Sequence, residues 1–176
     1  MLSAQSAHLS STELGVVRMY ARFVLDRLVR SGLQNKSKIN IKILGHEEMK
    51  DAADALDLKN YKAWCTYDGV DDFGNRKFTI ILNYRQVNKK AKKLPIRLKN
   101  LLIDLGHELT HVKQYLHNEI FDYTNGNVRY KGLVFDASHY MDEEKYYESP
   151  WEIEAYGREL GLYRIFCNKL KEDSKK

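Results

Sequence analysis

At 176 residues, 43% of them hydrophobic, the chain has the size of one ordinary domain with one core, so a single domain over residues 1–176 is expected. Two prolines, ten glycines and the lack of any apolar run long enough to cross a bilayer argue against a linker-rich array and against a membrane partner. The net charge of +5 is modest, and the isolated Cys65 and Cys167 form neither a disulfide framework nor a CxxC site, which suits buried thiols in a reducing compartment.

The N-terminal stretch MLSAQSAHLSSTELG has no basic segment followed by a long apolar run, so no cleaved secretory signal is expected and a cytoplasmic location is. Ser10 with Glu13 three residues on forms a capping-box pattern, and Leu14, Val17, Phe23, Val24, Leu25 and Leu28 recur at near-helical spacing, which predicts a helix to about Arg30. Ile39, Ile41 and Ile43 alternate with polar residues as in a half-buried strand, and residues 47–58 read as a helix rich in alanine and acids. Residues 64–67 and 77–82 read as two strands joined through the turn formers Asp71, Asp72, Gly74 and Asn75.

The stretch 85–99 gathers Arg85, Lys89, Lys90, Lys92, Lys93, Arg97 and Lys99. A solvated loop and helix face is the ordinary explanation of such a strip, and contact with an anionic partner such as nucleic acid is the other. Pro95 suits the first turn of a long helix carrying Leu98, Leu101, Leu102, Leu105, Leu109, Val112, Leu116 and Ile120. A loop with a possible strand over 128–135 follows, and the last helix starts at Ser149 and Pro150.

The chemistry sits on the long helix as HELTH, residues 107–111. Histidines at i and i+4 lie roughly 40° apart around a helix, so His107 and His111 can reach one metal from one face. Glu108 points to the side of that pair, where its carboxylate can take a proton from a water. Leu98, Leu105, Leu109, Val112 and Leu116 cluster opposite His107 on the helical wheel, so the leucines serve the core and the histidines line a cleft.

A metal needs a third protein ligand, and His117, Glu152 and Glu154 are candidates. His117 has the spacing of the third histidine in HExxHxxGxxH sites, but Gln114 replaces the glycine that lets that chain turn back. If the helix runs on to Ile120, His117 faces away. On the last helix Ile153, Tyr156, Leu160, Tyr163, Phe166, Cys167 and Leu170 mark an apolar arc with Glu152 near its middle, and Glu154 falls on the opposite, solvent side with Arg158. A carboxylate in a buried arc needs a cation, which favours Glu152 as the ligand over a capping box with Ser149. Glu159, also inward, suits the role of acceptor for a histidine N–H.

HELTHVKQ followed some forty residues later by PWEIEAYGRE resembles the small HExxH metallopeptidases of phages and bacteria, compact relatives of the gluzincins, over roughly residues 78–165. The resemblance implies an α+β, zincin-like fold: a small, mostly antiparallel sheet packed on a long active-site helix, with the C-terminal helix supplying the third ligand. It also implies a Zn2+ ion held by His107, His111 and Glu152, a protein or peptide substrate, a bacterial or phage-infected host cell, and a sheet edge at 77–82 where an extended peptide docks. Tyr156 stands where the family's ExxAD pattern has aspartate.

The reaction expected is hydrolysis of a peptide bond by a zinc-activated water with Glu108 as general base. Tyr146, Tyr147 and His139 are candidate donors to the developing oxyanion, and the sequence does not choose among them. Two other readings stand beside this one. The basic strip, with HELTH followed by His117 and Asn118, bears a loose likeness to proteases of DNA–protein crosslink repair. The last is a non-catalytic interaction protein whose zinc only ties two helices together.

Overall fold

The computed structural model describes residues 1–45, 48–49, 62–87 and 94–175. The helix expected over 47–58 lies outside these residues except for Glu48 and Met49, which are helical, and so do Lys89, Lys90, Lys92 and Lys93 of the basic strip.

Helix α1 (Ser11–Leu28) starts as the capping box requires: the Ser10 hydroxyl accepts from the Glu13 amide at 3.3 Å and the Glu13 carboxylate accepts from the Ser10 amide at 2.8 Å. It buries Val17, Tyr20, Ala21 and Val24 along one side. The sequence pattern misses strand β1 (Leu2–Ser6), which lies before α1 and pairs in parallel with β2 (Ser37–Leu44) after it. A short helix, α2 (Ser31–Gln34), leads into β2, where Ile39, Ile41 and Ile43 point into the core.

β3 (Ala63–Val70) and β4 (Arg76–Asn83) form the expected antiparallel hairpin. Its turn is held by the Asp71 carboxylate, which accepts the amides of Phe73 at 3.0 Å and Asn75 at 2.8 Å, and by Gly74 at positive φ. β4 then pairs in parallel with β2, giving the order β1-β2-β4-β3. The main sheet is therefore mixed and mainly parallel, which corrects the expectation of a mostly antiparallel one. The cause is the β1–α1–β2 crossover, whose first strand, LSAQS, carries little strand propensity. The strand over 77–82 is interior and not an edge; the edges are β1 and β3.

After α3 (Tyr84–Val87) comes the long helix α4 (Leu94–Leu116), with Pro95 in its first turn. Leu101, Leu105, Leu109, Val112 and Leu116 join the main core with Ile41, Ile80 and Leu82 of the sheet and Val17, Tyr20 and Val24 of α1. Close packing of α1 against α4 needs Gly106, because a Cβ there would lie 2.6 Å from the Tyr20 hydroxyl.

α4 stops at Leu116 and does not continue to Ile120. Asn118 takes φ 56°, its amide bonds the Tyr115 carbonyl at 3.0 Å and the Glu119 amide bonds that of Gln114 at 2.8 Å, a Schellman arrangement. Arg76 adds a bond of 2.7 Å to the Tyr115 carbonyl. The chain then makes a small antiparallel sheet of β5 (Ile120–Asp122), β6 (Val128–Tyr130) and β7 (Leu133–Phe135). The strand expected over 128–135 is thus two strands, split by Lys131 and Gly132, both at positive φ as a two-residue hairpin turn requires.

Two short helices, α5 (Ser138–Met141) and α6 (Glu143–Glu148), precede α7 (Pro150–Asp173), which lies along α4. The inward stripe of α7 is Trp151, Glu152, Ala155, Leu162 and Phe166, whereas Ile153, Tyr156 and Leu160 are exposed. This is a rotation from the apolar arc expected, and Glu152 lies inside both. No helix among the described residues is long and apolar enough to cross a membrane.

Candidate metal centre

His107 and His111 leave α4 on the side opposite the leucines, and α7 covers them with its first two turns. The three side chains His107, His111 and Glu152 converge there, all buried, as a group that could hold a metal ion. His107 Nε2 lies 3.2 Å from Glu152 Oε2, His111 Nε2 lies 3.4 Å from Glu152 Oε1, and the two Nε2 atoms are 3.1 Å apart. Ligands of a tetrahedral metal with bonds near 2.0–2.1 Å stand about 3.3 Å from one another. The donor set is one that could hold a metal ion, with one ligand atom from each residue within 4.8 Å of the others.

The far side of each imidazole is also occupied. His107 Nδ1 lies 3.1 Å from Glu159 Oε2, and His111 Nδ1 lies 2.9 Å from Gln114 Oε1. Both partners accept, so each Nδ1 carries hydrogen, and Nε2 is the atom of each ring that a metal would take in place of a proton. The Tyr156 ring packs edge-on against His107, with centroids 4.4 Å apart. Where the ExxAD pattern has an aspartate, this chain thus has a ring contact, and the carboxylate acceptor comes from Glu159, one turn further along α7.

Asp104, Glu108, Glu152 and Glu159 surround two imidazoles, and such a site demands positive charge from protons or from a metal. Burial disfavours a charged His107, but its bonds to Glu152 and Glu159 prevail and raise its pKa to about 10. For Glu152 burial acts upward and the two imidazoles pull the pKa down to about 2. Burial pushes Glu108 up to about 7 against the attraction of His107 and His111, and lifts Asp104 to about 6.

Two cavities meet at the centre. One, of about 470 Å³, is bordered by Asp104, His107, Glu108, Tyr146 and Tyr156. The other, of about 320 Å³, lies between the β3 edge and the centre and is bordered by Trp64, Glu108, His111, Tyr146, Trp151 and Glu152. Of the candidate oxyanion donors, Tyr146 borders both and Tyr147 the larger one only. Burial, with the negative charge of Glu152 and Glu108, pushes the Tyr146 pKa up, so its hydroxyl stays a neutral donor. His139 is engaged elsewhere, with Nδ1 2.9 Å from Ser149 Oγ and its ring against Phe135.

Neither alternative third ligand joins the group. His117 follows the end of α4, and its Nε2 is buried without a hydrogen-bond partner among the described residues. Glu154 is not on a solvent face: its carboxylate binds Lys113 at 2.7 Å, the Tyr130 hydroxyl at 2.6 Å and Arg158 at 2.9 Å. The Ser149 hydroxyl makes no capping bond and donates to the Lys145 carbonyl at 2.8 Å, which leaves Glu152 to the histidines. Sequence reasoning misses Asp104 and the bond from His111 to Gln114; the latter has a signal in its i,i+3 spacing. No known protein-family model matches the chain, and no curated protein matches it.

Proposed function

We infer that this chain is a zinc-dependent peptidase of gluzincin type, with His107, His111 and Glu152 as the ligands and Glu108 as the general base. The observation that carries the reading is the convergence of His107, His111 and Glu152, whose ligand atoms all lie within 4.8 Å of one another, beside a glutamate that borders two cavities. Zinc bound there supplies Lewis acidity and acidifies a water molecule.

Glu108 takes the proton from the attacking water and hands it to the leaving amine. Tyr146 donates its hydroxyl hydrogen to the oxyanion that develops on the scissile carbonyl. An extended peptide pairs with the edge of β3 that is unpaired among the described residues, which runs beside the smaller cavity and brings the peptide bond within reach of Glu108.

Two features favour catalysis over a purely structural zinc. Structural sites close with four protein ligands, whereas the group here has three among the described residues and opens onto cavities. The two-histidine, one-carboxylate set also suits iron(II). A buried glutamate directly after the first histidine is what hydrolysis needs and iron chemistry does not, which supports the zinc reading. The test is Glu108→Gln assayed on a quenched peptide library: the variant keeps its metal and loses about 10²- to 10⁴-fold in turnover. Parent-like hydrolysis by that variant, or a metal-loaded parent that cleaves no peptide, overturns the reading.

A further inference from the structure

Gln114 is fully buried, and its amide is saturated by partners that leave it one orientation. Its Nε2 donates to the Trp151 carbonyl at 2.9 Å and lies 3.3 Å from Glu154 Oε2. Both partners only accept, so the nitrogen must face them and the oxygen must face His111. An amide oxygen cannot donate; His111 Nδ1 therefore carries a hydrogen, and Nε2, facing His107 and Glu152, is the atom left for a metal.

The anchor of this amide is itself fixed. Glu154 is held by Lys113, Tyr130 and Arg158, and Lys113 in turn also binds Glu119 at 2.7 Å. Trp151 and Glu154 sit on either side of Glu152 in the first turn of α7. The same amide thus touches one ligand directly and grips the turn that delivers another.

We propose that Gln114 is a positioning residue that preorganises two ligands at once: it fixes the tautomer of His111 and, anchored on Glu154, clamps the turn of α7 that carries Glu152. This rests on the metal-binding part of the reading above and is independent of hydrolysis. It also gives a reason for glutamine at the place where HExxHxxGxxH sites have glycine: here the helix must continue past that position, and the side chain secures a ligand brought by another helix.

The experiment compares the parent with Gln114→Met, which keeps the volume and removes both functions, with Gln114→Glu, and with Gln114→Glu/Glu154→Gln. Zinc affinity is read by chelator competition, geometry by the visible absorption of the cobalt(II) form, folding by metal-free melting, and the tautomer by the imidazole N–H signals of ¹⁵N-histidine protein. Gln114→Met should melt near the parent without metal, bind zinc about 10- to 100-fold more weakly and lose the protected Nδ1–H of His111. Gln114→Glu keeps the acceptor for His111 but sets a carboxylate against Glu154, so it should weaken binding more than Gln114→Met, and the double variant should recover most of the loss. Parent-like zinc affinity in Gln114→Met, no recovery in the double variant, or a parent His111 without an Nδ1–H overturns the proposal. A parent that binds no metal overturns the peptidase reading instead, and the Nδ1–H of His111 then decides the role of Gln114.

Discussion

The two faces of helix α4 are both buried, by opposite means. The face of Leu105, Leu109 and Val112 packs against the sheet and α1 through non-directional apolar contact with many neighbours. The face of His107, His111 and Gln114 is buried through specific bonds to a few atoms of α7. The first face holds the fold and tolerates exchange among apolar residues of similar size, whereas the second holds a charge balance and tolerates little.

The largest break in that comparison comes from the apolar face. Leu109→Ala removes fully buried methyl groups directly beneath the site and should cost about 2–5 kcal/mol in chemical denaturation. Below its melting temperature the variant should still bind one metal per chain. Loss of the metal from a variant that remains folded would show that the two faces are not separable.

The second break is by pH. His107, raised to about 10, gives the metal-free protein a stabilisation fully present below pH 6.5 and lost as the pH rises toward 10. Glu108, raised to about 7, acts with the same sign between pH 4.5 and 7, because the fold disfavours its charged form. Metal must displace those protons, so the melting temperature of the metal-free protein should fall between pH 6.5 and 9 while the gain on adding zinc grows. Melting curves with and without zinc that run parallel over this range would contradict the charge balance described for the polar face.

The smallest effect lies on the far side of α4, where the Tyr20 hydroxyl is buried against Gly106 without a partner among the described residues. Tyr20→Phe removes an unpaired polar atom and should leave the melting temperature unchanged or raise it. A clear drop would reveal a hydrogen bond at that position and a tie between α1 and the site helix.

The same contrast explains what the sequence could reveal. The leucine face of α4 is legible because burial requires only residue types at a period, and HELTH is legible because one helix carries both histidines and the base. Glu152 can be reached by the wheel although the buried stripe is rotated from the expected arc, since Trp151 and Ala155 are buried beside it and Ile153 and Tyr156 are exposed. Strand β1 is illegible: LSAQS has weak strand propensity, and its pairing with β2 comes from backbone bonds. The helix end at Leu116 could have been read from Asn118, a residue suited to positive φ. The role of Gln114 depends on Trp151 and on Glu154, 40 residues downstream, and no local pattern names that partnership.

The most direct test of the account is the metal content of the purified protein, measured by elemental analysis after zinc loading and desalting. The parent should hold one zinc per chain, His117→Ala the same, Glu152→Gln far less at equal free zinc, and His107→Ala/His111→Ala none. Full occupancy in the double histidine variant, or an empty parent, would contradict the assignment of the buried His-His-Glu group as the metal centre.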